Sequence, residues 1–165
     1  METPDDNIHI KKAVLENAPK IAAIHKNCVL RTNARIYPSD VIKEWIKQIT
    51  VKNIKDQFKN SQWFVIEIES KIIGFCQISF KEKTLYQINI LPKYQNKKYG
   101  KLIYDFVEKQ FLKNNINKIY LNSTLNAVDF YKRLGFRKLR RIRFKLGRIF
   151  VEMIKMKKNL IQTKR

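Results

Sequence analysis

Residues 88–110 read INILPKYQNKKYGKLIYDFVEKQ, a β-rich run stopped by Pro92, then a basic loop, then residues at helical spacing. Leu102, Ile103, Phe106, Val107, Gln110 and Phe111 share one helical face until Asn114-Asn115 ends it. A strand that passes into a helix through such a loop brings unpaired N–H groups and the positive end of a helix dipole beside Lys97, Lys98 and Lys101. That is a seat for phosphate, and on the residues alone it is equally an exposed basic turn.

Toward the amino end, Leu85 to Leu91 is the last of three consecutive strands, after Gln62 to Glu69 and Ile72 to Phe80, which turn at Ser70-Lys71. Before them, Ile8 to Lys12 alternates like a strand, and Leu15 to Leu30 repeats Ala18, Ile21, Ala22, Ile24, Cys28 and Val29 at helical spacing. Pro38 breaks the chain, and Ser39 as cap sets Val41, Ile42, Trp45, Ile46 and Ile49 on a second helix. Val51 to Asn60 adds a further turn or two. Toward the carboxyl end, Lys118 to Asn122 is a strand and Ala127 to Leu134 a short helix closed by Gly135. Phe136 to Phe144 pairs with Ile149 to Met156 through a turn near Gly147. Antiparallel strands first and a crossover helix later predict an α/β (α+β) mixed sheet flanked by helices. No linker or repeat divides it, so 1–165 reads as one domain, with a disordered basic tail expected over 157–165.

With 44% apolar residues and only four Gly and four Pro, the chain is neither disordered nor fibrous, and no run of it is apolar enough to span a bilayer. Cys28 and Cys76 stand far apart with only His9 and His25 besides, so no metal site or disulfide framework is written here, and a reducing, cytoplasmic setting is expected. Met1 to Asn7 carries three acids and no apolar run, which predicts no secretory leader.

Thirty-five basic residues against fourteen acids give a net charge of +21. Such charge attracts polyanions, but 26 Lys, 23 Ile and 14 Asn are also what A/T-rich codons supply. Arginine is less open to that explanation. Seven of nine lie at or after Arg133, and from there thirteen basic residues face one acid, Glu152. Arg137, Arg140, Arg141, Arg143 and Arg148 are therefore candidates for RNA contact. Phe136, Phe144 and Phe150 interleave with them, as plain alternation in a half-buried strand also would.

A second informative segment, STLNAVDFYKRLGF at 123–136, sets Tyr131 on a short helix after a strand end. Ala127, Phe130, Tyr131 and Leu134 would pack as core residues there in any case.

In this order and spacing, the two segments resemble the GNAT superfamily of acetyl-coenzyme A dependent N-acyltransferases. The family loop Q/R-x-x-G-x-G/A, after a strand ending in Val-x-Pro, is matched by Ile90, Leu91 and Pro92 followed by Gln95, Asn96, Lys97, Lys98, Tyr99 and Gly100. The family's Ala-x-x-Phe-Tyr-x-x-x-Gly-Phe is matched by Ala127, Phe130, Tyr131, Gly135 and Phe136. Tyr37 and Trp45 resemble a Tyr and Trp on the second helix of a small bacterial branch. The resemblance implies the GNAT fold, a mostly antiparallel sheet of about seven strands with about four helices. It implies acetyl-CoA as co-substrate and direct transfer to a primary amine, in a cleft between the strands 85–91 and 118–122. Amides of Gln95 to Lys101 would hold the diphosphate, backbone groups of Asn89, Ile90 and Leu91 the pantetheine arm, and Asn122 and Asn126 would add hydrogen bonds. Tyr131 would protonate the leaving thiolate, while Tyr37 and Trp45 either line the acceptor pocket or simply pack.

Lys98 stands where the family loop has its first glycine, which strains the backbone but adds an ammonium near the diphosphate. The strand 85–90 carries no carboxylate, which leaves Glu82, His25, water or a low-pKa amine for deprotonation. The acceptor is expected to be anionic or RNA-linked: a small molecule, a protein or an aminoacyl-tRNA. The protein itself is expected as a monomer or homodimer with no membrane partner. The alternative is a non-catalytic module on this scaffold that binds acyl-CoA or RNA.

Overall fold

Isoleucine-rich alternation and a few tight turns account for most of the architecture. The computed structural model describes residues 7–161. Positions 1–6, where the absence of a leader was expected, and 162–165, the end of the expected tail, lie outside the described residues.

The strands are β1 (Ile8–Lys12), β2 (Gln62–Ile68), β3 (Lys71–Ser79), β4 (Thr84–Ile90), β5 (Lys118–Thr124), β6 (Arg137–Leu146) and β7 (Ile149–Asn159). They form one seven-stranded sheet in the order β1-β2-β3-β4-β5-β7-β6. Every pair is antiparallel except β4 with β5. The helices are α1 (Ala18–Arg31), α2 (Ser39–Gln48), α3 (Val51–Gln57), α4 (Tyr99–Lys113) and α5 (Val128–Arg133). This is the mixed, mostly antiparallel sheet that the sequence predicts.

The differences have local causes. A fifth helix forms because Thr50 caps α3, its hydroxyl accepting from the Asn53 N–H at 3.1 Å. Pro38, not Ser39, holds the N-cap of α2 in extended conformation. The turn between β2 and β3 is Glu69-Ser70, both left-handed at φ 49° and 64°, one residue earlier than expected. The expected tail is partly strand: Lys157 to Asn159 pair with Tyr120 to Lys118, and the Leu160 N–H donates to the Asn117 carbonyl at 2.7 Å.

Two cores sit on opposite faces of the sheet. On one, Ile21, Ile24, Cys28 and Val29 of α1 with Trp45 pack on Trp63, Val65, Phe75 and Val151. On the other, Ile103, Tyr104, Val107 and Phe111 of α4 with Tyr131 pack on Ile78, Leu85, Ile119, Leu121 and Met156. Each fully buried side chain of this size contributes about 1.5–3 kcal/mol. The buried stripe of α4 is rotated from the expected one, because Leu102 is 40% exposed and Tyr104 is buried in its stead.

His25 packs its ring edge against Phe75, centroids 6.0 Å apart, and burial lowers its pKa to about 4. The unfolded chain therefore binds a proton that the folded one refuses between pH 6.5 and 4. Stability from this group should be essentially complete above pH 6.5 and fall by about 3 kcal/mol as pH drops to 4. Urea midpoints should fall across this range relative to those of His25→Leu, in which this contribution to the pH dependence is absent.

Candidate active site

Strands β4 and β5 share a single register pair, Thr84 with Tyr120, supported by the Tyr120 N–H donating to the Lys83 carbonyl at 2.9 Å. Beyond it they part. Just past that pair, Leu85 lies opposite Ile78 and Gln87 opposite Gln77, leaving Tyr86 as an extra residue. Such a bulge bends and twists a strand, and here it marks where β4 leaves β5. At the far end Gly74 faces Ile90, where an added Cβ would stand 2.5 Å from the Ile90 side chain and 2.7 Å from the Asn89 carbonyl oxygen.

Backbone alternation then sorts the three residues expected to meet a pantetheine arm. Asn89 is in register with Phe75, so its peptide groups face β3. The Leu91 N–H donates to the Ile73 carbonyl and its carbonyl accepts from the Tyr94 N–H, both at 2.8 Å. Neither residue offers backbone to the gap. Ile90 does: its carbonyl accepts from Gln95 Nε2 at 2.9 Å and from the Cys28 thiol at 3.2 Å, and its N–H points the same way. Burial raises the Cys28 pKa to about 12, so it stays a thiol.

The loop after β4 turns through Pro92–Tyr94 and enters α4 at Tyr99. The first amide that bonds into the helix is that of Leu102, which donates to the Lys98 carbonyl at 3.0 Å. The N–H groups of Asn96 to Lys101, six in succession, have no acceptor among the described residues. The Gln95 N–H is not one of them, since it donates to the Pro92 carbonyl, so Gln95 serves as a brace rather than as an amide donor. Asn96 and Lys98 are left-handed, at φ 60° and 68°. Lys98 thus takes the backbone its glycine counterpart would take, at a cost of about 1–2 kcal/mol. Gly100 is there for space, since a Cβ would press on the Phe130 ring at 3.3 Å. No acid lies in the first turn of α4, and Lys101 is paired with Asp105 at 2.8 Å; among the described residues Lys93, Lys97 and Lys98 of the loop have no ion-pair partner.

Tyr131 is 7% exposed, its ring edge-on to Phe130 and Phe136 at 5.1 and 5.7 Å. Burial, with Cys76 nearby, pushes its hydroxyl well above the usual tyrosine range, so it is a phenol at neutral pH. Asn126 donates from Nδ2 to Asn33 Oδ1 at 3.3 Å, while its own Oδ1 is buried without a partner among the described residues. Asn122 is not with this group. It is in register with Lys155 and lines a cavity near the start of β4 with Glu82, Thr84 and Tyr120.

Tyr37 and Trp45 pack against each other. Both are 7% exposed and meet edge to face at 5.5 Å, and Tyr37 precedes α2 rather than lying on it. The Tyr37 hydroxyl donates to the Glu152 carbonyl at 2.6 Å and accepts from the Leu125 N–H at 3.0 Å. With Thr32 accepting from Gln95 Nε2 at 3.3 Å and Asn33 from Asn126, the segment 32–37 ties the β4 side of the gap to the β5–β7 side.

Neither candidate base reaches the gap. Glu82 lies at the wrong end of β4, and His25 is a packed ring that burial makes a poor base. In their place runs a file of amides. Asn89 Nδ2 donates to Gln87 Oε1 at 2.8 Å and Gln87 Nε2 to Gln77 Oε1 at 2.9 Å. Gln77 Nε2 in turn donates to Gln57 Oε1 and Ser61 Oγ, each at 3.0 Å. Each member gives with nitrogen and accepts with oxygen, so the file has a direction and leaves Asn89 Oδ1 as its free acceptor. Periodicity shows none of this, because the file joins α3 to two strands, and Cys28 likewise reaches Ile90 from 62 residues away.

The arginines fall on two faces. Leu139 is bulged between Lys138, opposite Met156, and Arg140, opposite Lys155. Arg137 and Arg140 therefore share the α1–α3 face, while Arg141 pairs with Glu152 at 2.7 Å and Arg143 lies over Phe150 at 4.9 Å on the other. Arg148 is in the turn beside Glu44. Among the described residues no group of three His, Cys, Asp or Glu is placed to hold a metal ion, and no helix is long and apolar enough to cross a membrane.

A family described as acetyltransferase (GNAT) domain matches residues 33–157, 125 of the 165. The uncharacterized N-acetyltransferase ycf52 of Pyropia yezoensis is 25% identical over 151 residues, 79% of this chain and 86% of its own length. A GCN5-related N-acetyltransferase structure from Rhodopseudomonas palustris superposes with a TM-score of 0.88 at 15% identity, covering 97% of this chain and all of that one. The PaiA N-acetyltransferase of Thermoplasma acidophilum, in complex with coenzyme A, does so at 0.76 and 22% identity, covering 92% of this chain and 98% of that one. At these identities the two structures speak for the fold.

Lys98→Gly should relieve the left-handed strain and, after the entropy glycine adds to the unfolded chain, raise stability by about 0.5–1 kcal/mol. Calorimetry should show a Tm higher by about 1–4 °C; a lower Tm would mean that ammonium contacts outweigh the backbone relief.

Proposed function

The chain belongs to the GNAT acetyltransferase family, and on that premise we propose that it transfers an acetyl group from acetyl-coenzyme A to a primary amine of an anionic or RNA-linked acceptor. The observation that carries this reading is the run of six unpartnered N–H groups, Asn96 to Lys101, at the mouth of the gap between β4 and β5. A helix start free of acids, with Lys97 and Lys98 beside it, fits a diphosphate. A buried acceptor without a partner among the described residues, Asn126 Oδ1, fits an amide or hydroxyl donor.

When bound, acetyl-coenzyme A supplies an acyl group already activated as a thioester. The chain supplies the rest. The amides of Asn96 to Lys101 fix the nucleotide end without needing any side chain, which is why a lysine in place of glycine is tolerated once it adopts the same backbone. The Ile90 N–H, held toward the gap because its carbonyl is braced by Gln95 and Cys28, is a rigid donor for an oxygen that gains negative charge. Tyr131 retains its proton at neutral pH and is the acid for a departing thiolate. Asn89 Oδ1, oriented by the amide file, accepts from the incoming amine. Being neutral, it cannot deprotonate an ammonium, so the acceptor arrives as the free base or loses its proton to water.

Binding of acetyl-coenzyme A by titration calorimetry, with thiol release on an amine panel that includes charged tRNA, tests the reading. Tyr131→Phe should cut kcat about 100-fold or more and leave the acetyl-coenzyme A Kd within about twofold. Unchanged turnover removes Tyr131 from the acid role, and a folded protein that takes up no acetyl-coenzyme A at millimolar concentration overturns the transferase.

A further inference from the structure

Register places an open, charged corner on the α1–α3 face of the sheet. Thr84 pairs with Tyr120, Tyr120 with Lys157 and Lys157 with Arg137, a row across β4, β5, β7 and β6. Beside it run Asn122, Lys155 and Arg140. Partners in register share a face, and the Leu139 bulge brings Arg137 and Arg140 to the same one. The helices of this face pack on Trp63, Val65, Phe75 and Val151, and the corner lies beyond them, with Asn122, Arg137 and Arg140 exposed. A cavity of 230 Å³ opens there, lined by Glu82, Thr84, Tyr120, Leu121, Asn122 and Lys155.

Both Lys155 and Lys157 hold their ammonium groups over the Tyr120 ring at 5.7 Å. Among the described residues, none of Lys155, Lys157, Arg137 and Arg140 has an ion-pair partner, in contrast to Arg141 on the opposite face. An exposed cation–π contact is worth about 0.5–1 kcal/mol, little enough that an ammonium would leave the ring for a phosphate.

We propose that this corner is a docking surface for single-stranded RNA, with a base stacked on Tyr120 and successive phosphates on Lys155, Lys157, Arg137 and Arg140. An aromatic side chain in the middle of an open sheet face, with cations on the neighbouring strands, is the arrangement that binds unstacked bases. The row spans three interstrand spacings, about 14 Å, too wide for one phosphate and suited to several. Glu82, the one acid lining the cavity, repels phosphate but can accept from a ribose 2′-hydroxyl, as can Asn122. RNA contact thus moves from Arg141, Arg143 and Arg148 to a site that those arginines do not share. It stands whether or not acetyl transfer does; Asn89 lies five residues along β4 from Thr84, about 16 Å, within reach of the end of a bound strand.

Fluorescence anisotropy of the full chain with a labelled octauridylate, without acetyl-coenzyme A, tests it. Four phosphate contacts should weaken binding about 50-fold between 50 and 200 mM salt. Arg140→Ala with Lys155→Ala should lower affinity and flatten the log–log salt slope by about 1.4, while the charge-matched pair Lys138→Ala with Arg143→Ala on the other face should leave both nearly unchanged. Tyr120→Ala should weaken binding about tenfold and Tyr120→Phe should restore it. Should Tyr120→Ala fail to fold, the two double variants decide. Equal losses in both double variants reduce the effect to net charge and overturn the proposal. So does equally tight binding of duplex RNA, of the deoxyribose octamer or of polyglutamate.

Discussion

A sheet must account for every peptide group it buries, and in this protein the account is left open at one seam. After Thr84 and Tyr120 the two central strands stop pairing, so β4 presents N–H and C=O groups that no neighbouring strand receives. The Ile90 carbonyl is covered by a glutamine from the following loop and a thiol from α1. The Ile90 N–H and the amides of Asn96 to Lys101 are not covered. The cofactor seat proposed above follows from that deficit: backbone donors are left unmatched where a polar ligand can meet them. The Tyr86 bulge starts the divergence, and the close approach of Gly74 to Ile90 holds the end of β4 against β3 while it parts from β5.

Such a site is nearly free of titratable machinery. Asn89, Gln87 and Gln77 form a directed file of amides where a carboxylate would serve as a base, and the nearest candidates are a turn glutamate at the other end of the strand and a histidine held neutral by burial. On the function proposed above, these residues contribute positioning rather than proton abstraction. The buried phenol of Tyr131 and thiol of Cys28 keep their protons at neutral pH.

Most of the fold was legible, because it rests on local signals that survive without tertiary information. Pro92 ended β4, Asn115 at φ 57° closed α4, and the apolar set of α1 was the buried set residue for residue. The loop and Tyr131 were legible only as members of an ordered pair of motifs. What escaped did so for stated reasons. A single bulged residue, Leu139, inverts strand parity, so the arginines that look like one cluster in sequence divide between two faces. Tyr37 and Trp45 were ambiguous because an aromatic that packs and one that lines a pocket have the same spacing; in the structure both are buried against each other, and Tyr37 is hydrogen-bonded to Glu152 and Leu125. Leu102 and Tyr104 exchanged places: α4 turns Tyr104 rather than Leu102 into the core, with Gly100 close against Phe130.

The stretch 32–37 is a short strap laid across the gap, anchored to Gln95 on one side and to Leu125, Asn126 and Glu152 on the other. Beyond Thr84 and Tyr120, where β4 and β5 share no register, these hydrogen bonds bridge the two sides of the gap. A gap bridged in this way has its aperture constrained in the folded chain, and part of the ordering entropy that an unbridged cleft would lose on binding is met in folding. Lineages that lengthen or shorten this strap would retune aperture, and with it ligand girth, without touching a single group inside the wedge.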